Sequence, residues 1–178
     1  ERCDLRLGND VTDATEGKEH WWSFLHWLPN DYMELPMSTL GGTWNTGLVM
    51  NFHNTADKGG QANMQLQAMP ATAISPDRPT GLHVQISGGD PAKPTMGQYP
   101  VGPIFRNRWL RFDYHVRWSA GAGLIEGWAD GRQFMRHVGP TLYSGESAYL
   151  KLANYHTAHG KPSAILHGRV IKARAAIG

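Results

Sequence analysis

Leu110, Phe112, Tyr114, Val116 and Trp118 alternate with Arg111, Asp113, His115 and Arg117, the period-2 pattern of a strand with one face in a core and the other in water. The same period runs through Arg2 to Leu7, with Cys3, Leu5 and Leu7 on the face expected to be half-buried and Arg2, Asp4 and Arg6 on the charged face. From Leu48 to His53 it sets Leu48, Met50 and Phe52 inward against Val49, Asn51 and His53. Gly17 to Pro29 carries Trp21, Trp22, Phe24, Leu25, Trp27 and Leu28 ahead of a Pro29-Asn30-Asp31 turn and predicts a buried strand, with a helical turn as the alternative. Further strands are predicted at Gln61 to Met69, Leu82 to Ser87, Tyr149 to Tyr155 and Ile165 to Ala173, with Pro76-Asp77-Arg78-Pro79 as a turn. Leu124 to Ala129 and Arg132 to His137 flank Asp130-Gly131, a dipeptide that tolerates positive φ at both centres of a hairpin turn. Gly88 to Pro103 reads as loop. No amphipathic run of three helical turns and no internal repeat interrupts this pattern, so it predicts an all-β fold: a two-sheet antiparallel jelly-roll sandwich.

Composition sharpens the picture. A chain of 178 residues suits one domain, residues 1–178, and its 21 Gly and 11 Pro fit many short strands joined by turns. Opening at Glu1 within an alternating segment, without Met, the chain is expected to lack an upstream segment. Charged residues make up only 18% against about 25% in an average soluble domain. Seven Trp and six Tyr supply flat faces that suit sugar rings. The net charge of +2, which nine His would raise in mild acid, allows attraction to a polyanion. No Lys/Arg run or zinc-finger spacing supports a nucleic-acid partner. The lone Cys3 rules out an intrachain disulfide, and no apolar stretch approaches the roughly 20 residues of a membrane span.

The order of segments resembles the heparin-lyase-I-like and glucuronan-lyase-like polysaccharide lyases, which are concanavalin-A-like jelly rolls, and more distantly the jelly-roll alginate lyases. Arg2-Cys3-Asp4-Leu5-Arg6 resembles their R-x-E-L-R strand, and Gly17 to Pro29 their G-x-x-x-W-x-x-x-x-x-x-L-P segment. Asn51-Phe52-His53 is similar to the Q-x-H strand, and Gly127-Trp128-Ala129-Asp130-Gly131 to the W-x-D/N-G hairpin. Tyr149-Leu150-Lys151-Leu152-Ala153-Asn154-Tyr155 is similar to the Y-F-K-x-G-x-Y strand. Asp4 stands for Glu, Asn51 for Gln, and Ala153-Asn154 where that group shows a Gly. These departures bear on activity, not on fold.

The resemblance implies cleavage of an acidic, uronate-containing polysaccharide by β-elimination, in a protein that is secreted, periplasmic, extracellular or on a virion surface. Elimination needs a neutralised carboxylate, a base for the C5 proton and an acid for the leaving O4. Arg2, Arg6 and Asn51 can bind the carboxylate, His53 can act as base or neutraliser, and Tyr155 as acid or base. Lys151 and Tyr149 share a strand face with Tyr155 and complete the substrate-binding set. The resemblance places these faces on a concave sheet and implies no cofactor beyond a structural Ca²⁺, for which no ligand loop is legible.

Each residue also has a plain structural reading. Asn51 and His53 can belong to a solvated face, Tyr155 can sit in the core with its hydroxyl satisfied, and Lys151 can be solvated. Arg2, Asp4 and Arg6 can form a paired ladder, and Trp21, Trp22, Trp27, Trp118 and Trp128 read as core. The Arg111 to Arg117 face reads as the convex solvent side. The competing function is a carbohydrate-binding or structural jelly-roll module without catalysis, part of a fibre or larger surface assembly. A glycoside hydrolase would need two carboxyls facing each other, and only Glu126 and Asp130 come near; no G-x-S-x-G elbow supports a serine hydrolase.

Overall fold

The computed structural model describes residues 2–32, 47–55, 61–69, 81–156 and 163–177. Among these residues eleven strands form two antiparallel sheets in a jelly-roll sandwich. The front sheet orders six of them as β1 (Arg2–Arg6), β10 (Ala148–Tyr155), β3 (Gly47–Asn54), β4 (Met64–Met69), β5 (Gly81–Asp90) and β6 (Lys93–Gly102). The back sheet orders the other five as β11 (Leu166–Ala173), β2 (Glu19–Trp27), β7 (Trp109–Arg117), β8 (Leu124–Ala129) and β9 (Arg132–Val138). The only helix among the described residues is a single turn, α1 (Asn9–Thr12).

Strand β7 follows its sequence pattern: Leu110, Phe112, Tyr114, Val116 and Trp118 are all buried between the sheets. Phe52 of the front sheet meets Trp118 and Trp22 of the back sheet at ring-centroid distances of 5.0 and 5.3 Å. Full burial of such side chains stabilises by about 1.5–3 kcal/mol each, which makes this contact a main tie between the layers. A second tie joins the edge strands, where Tyr99 Oη and His137 Nδ1 hydrogen-bond at 2.9 Å. Asp130 and Gly131 take φ of 46° and 78°, as the β8–β9 hairpin turn requires.

Five expectations need correction. Gly88 to Pro103 is not loop: it forms the end of β5 and all of β6. As an edge strand, β6 needs neither alternation nor every N–H, so Pro94 and Pro100 are tolerated there. Leu48 and Val49 exchange faces, Val49 joining the core while Leu48 turns outward. The cause is a bulge, since Leu48 and Met50 pair with the consecutive residues Gln67 and Leu66.

On β1, Cys3 and Leu5 are exposed rather than half-buried, because this edge strand overhangs the core and only Leu7, beyond it, packs inward. Of the five tryptophans read as core from the sequence, only Trp22 and Trp118 are there. Trp21, Trp27 and Trp128 lie on the outer face of the back sheet, where Trp21 stacks on His115 at 4.4 Å. The strand beginning at Gln61 is regular only from Met64, and the turn Pro76-Asp77-Arg78-Pro79 lies outside the described residues.

Candidate active site

Antiparallel pairing carries polar side chains from separate parts of the chain into one row on the outer face of the front sheet. Arg6 pairs with Lys151, Lys151 with Asn51, Asn51 with Gln65, Gln65 with Gln85, and Gln85 with Gln98. The parallel row beside it begins with Tyr149 opposite His53. A cleft of about 340 Å³ opens over these rows, lined by Arg2, Asp4, Leu48, Asn51, His53, Gln61, Ala62, Gln65, Lys151 and Tyr155. Its extent across β1, β10, β3 and the start of β4 spans about three strand spacings, roughly 14 Å.

Of the residues singled out in the sequence, Arg2, Asn51, His53, Lys151 and Tyr155 line this cleft. Arg6 and Tyr149 are not in its lining. Instead the Arg6 guanidinium lies 3.9 Å from the Tyr149 ring centroid, and the Tyr149 ring stacks on His53 at 5.4 Å. Arg6 and Tyr149 thus buttress His53 from the side, through cation–π and ring contacts.

His53 Nδ1 donates to the Asn54 carbonyl at 2.9 Å. A carbonyl oxygen can only accept, so in the neutral ring Nδ1 carries the proton and Nε2 the lone pair. Lys151 is buried and lies 3.7 Å from Asp4, which also accepts from Arg2 Nε. Among the described residues of the lining, Asp4 is the single carboxylate. Asn51 is 3% exposed, and its Oδ1 has no hydrogen-bond partner among the described residues. Such a buried, unsatisfied amide oxygen costs about 1–3 kcal/mol, a penalty that a bound hydroxyl would relieve. Tyr155 remains 48% exposed, with the Arg2 guanidinium 5.8 Å from its ring centroid.

The amides Gln61 and Gln65 were not singled out in the sequence. Their signal was the alternation of Gln65 and Gln67 with Met64, Leu66 and Ala68, which marks a polar face but no chemistry. Glu126 and Asp130 are on the back sheet, Glu126 facing His115 and Arg136, and Asp130 facing Arg108 and the Arg111 N–H. They form no carboxyl pair at the cleft. Among the described residues no group of His, Cys, Asp and Glu gathers as a metal site. Nor is any helix long and apolar enough to cross a membrane.

The model of the polysaccharide lyase family matches residues 1–169, and the chain belongs to that family. No curated protein sequence matches it. Among solved structures it is similar to an endo-β-1,4-glucuronan lyase from the fungus Trichoderma reesei, with TM-score 0.66 and 12% identity over 96% of this chain and 71% of that one. It also resembles an alginate lyase from Klebsiella pneumoniae, with TM-score 0.52 and 12% identity over 90% of this chain and 61% of that one. The catalytic domain of a glycoside hydrolase family 131 protein from Coprinopsis cinerea aligns with TM-score 0.51 and 13% identity, over 92% and 59% of the two chains. At such identities these likenesses speak for the fold alone.

Proposed function

We propose that this chain cleaves a uronate-containing polysaccharide by β-elimination at the front-sheet cleft. The observation that carries the reading is the tautomer of His53, whose Nδ1 is committed to Asn54 so that Nε2 holds a lone pair, in a cleft shared with two cations and a tyrosine. Lys151, Arg2 and the Asn51 amide take the uronate carboxylate and stabilise the enolate-like charge that develops as C5 loses its proton. His53 Nε2 accepts that proton. The electron pair forms the C4–C5 double bond while the C4–O4 bond breaks, and Tyr155 protonates the departing O4. Arg6 and Tyr149 keep the His53 ring in place. The partner is an acidic polysaccharide, a polymer that does not cross membranes unaided, so the protein meets it outside the cytoplasm.

A binding module without catalysis is the second reading. It is favoured by Asp4, which already compensates Lys151 and Arg2, and by the short reach of Asn51. Incubation with glucuronan, heparin, alginate and ulvan, following the absorbance of unsaturated product, separates the two. Product from at least one polymer is expected; binding without product from any of them establishes the module.

A further inference from the structure

The cleft is electrostatically lopsided. Its β1 and β10 side holds Arg2, Asp4 and Lys151, two cations and one carboxylate, which leaves one net positive charge. Its β4 side is walled by amides. Neither β4 nor β5 contains a Lys or Arg, and the only one on β6, Lys93, is its first residue and pairs in register with Asp90. A carboxylate seated over β10 and β3 finds a countercharge. One seated over β4 would meet amide donors but no countercharge among the described residues, a weaker exchange for lost water than an ion pair gives.

Those amides are organised as a directed chain. His83 Nε2 donates to Gln67 Oε1 at 2.9 Å, Gln67 Nε2 to Gln65 Oε1 at 3.1 Å, and Gln65 Nε2 to Gln61 Oε1 at 3.2 Å. Gln85 Nε2 adds a second donor to the same Gln61 oxygen at 3.2 Å. With both lone-pair positions of Gln61 Oε1 taken, what Gln61 offers the cleft is its amide hydrogens, polarised by the chain behind them. Gln65 is buried and likewise has its oxygen occupied. The far end of the Gln61 backbone is pinned as well, because Tyr143 Oη donates to its carbonyl at 2.9 Å. Fixed neutral donors of this kind match hydroxyl, ring or acetamide oxygens of an uncharged sugar, and their alignment costs no reorganisation on binding.

We propose that the site selects a heteropolymer in which a uronate alternates with an uncharged sugar. The uronate sits over β10 and β3, and its uncharged neighbour over Gln61 and Gln65. The proposal rests on the uronate site described above and adds the identity of the adjacent residue. A homopolyuronate is disfavoured, because its second carboxylate would fall on the amide wall.

Calorimetric titration of the whole protein at low salt tests this with two hexasaccharides, one alternating glucuronate with N-acetylhexosamine and one of glucuronate alone. The alternating ligand is expected to bind at least tenfold more tightly. Gln61→Ala should weaken that ligand at least threefold and leave the homopolymer unchanged, whereas Gln65→Lys should bring the homopolymer up to or beyond the alternating ligand. Equal or tighter binding of the homopolymer by the unaltered protein overturns the proposal, as does failure to bind either. Product absorbance is recorded in parallel. Binding of the alternating ligand without product removes the lyase reading and leaves this one standing, while elimination with a preference for the homopolymer does the reverse.

Discussion

Asp4 Oδ2 lies 3.7 Å from Lys151 Nζ, joining the edge strand β1 to its neighbour β10 across the floor of the cleft. The same oxygen accepts from Arg2, so one carboxylate restrains both cations that would otherwise face an incoming polyanion. Asp4→Asn should therefore lower stability by about 1–2 kcal/mol in urea unfolding, since Arg2 is half-exposed and only Lys151 is buried. It should also tighten polyanion binding at low salt and steepen its salt dependence. Unchanged binding would mean that Asp4 does not hold the cations in check.

Tyr155→Phe and His53→Ala each remove one partner of the proposed proton transfers. Loss of kcat/KM by roughly 10²–10⁴ is expected for either, with little further loss in the double variant, because the two groups act as a unit. Both side chains lie outside the core, so the urea midpoint should hardly move. Additive losses would assign the two residues to independent roles.

Asn51 lines the cleft beside these groups. Asn51→Ala deletes the amide proposed to contact the carboxylate and should cost at least tenfold in kcat/KM, while stability should not fall, because the unpaired Oδ1 is removed with it. Asn51→Gln lengthens the same amide by one methylene, and a several-fold gain is expected if reach limits the present site. Steady-state kinetics on the best polymer of the panel decide between gain and loss.

Tyr143 Oη donates to the Gln61 carbonyl and lies 2.6 Å from Ser87 Oγ, and Tyr143 is not part of the cleft lining. Tyr143→Phe should destabilise by about 1–2 kcal/mol, because the buried Ser87 hydroxyl and the part-buried Gln61 carbonyl both lose a partner. As a positioning effect on Gln61, KM should rise while kcat stays near its original value. A fall in kcat at constant KM would contradict that role.

The His26–His167 pair gives the fold an acid-sensitive edge. His26 Nδ1 and His167 Nδ1 are 3.0 Å apart, joining β2 to the edge strand β11. Burial, with a smaller contribution from His167, pushes the His26 imidazole down to about 3 from its ordinary 6.5. The unfolded chain therefore binds a proton at His26 below pH 6.5 that the folded chain refuses until about pH 3. Stability contributed by this group is complete above pH 6.5 and is lost as pH falls toward 3, by at most about 1.4 kcal/mol per pH unit. His26→Phe, in a pocket between Phe24 and Phe112, should flatten that part of the stability profile measured by thermal unfolding.

How far the fold could be read depended on where each strand sits. Strand β7 is central and packed on one face, so burial imposes the alternation seen at Leu110 to Trp118. Strand β6, at the edge, is under no such constraint, and its prolines made it read as loop. The exchange of Leu48 and Val49 was hidden for a related reason: a bulge is a property of two paired strands, not of one.

The candidate site divides along the same line. Period 2 alone determined that Arg2, Asp4 and Arg6 share a face, that Asn51 and His53 share another, and that Lys151 goes with Tyr155. Only the antiparallel register, Arg2 opposite Tyr155 and Lys151 opposite Asn51, decided that those faces meet in one cleft. Tertiary packing likewise set Arg6 against Tyr149 rather than in the lining, coupled Asp4 to Lys151, and aligned Gln61 with Gln65, Gln67, His83 and Gln85. A strand's side-chain direction is settled by its own backbone, within a few residues. The neighbour each side chain meets depends on which strand pairs with it and in what register, a choice made by hydrophobic burial across the whole sandwich.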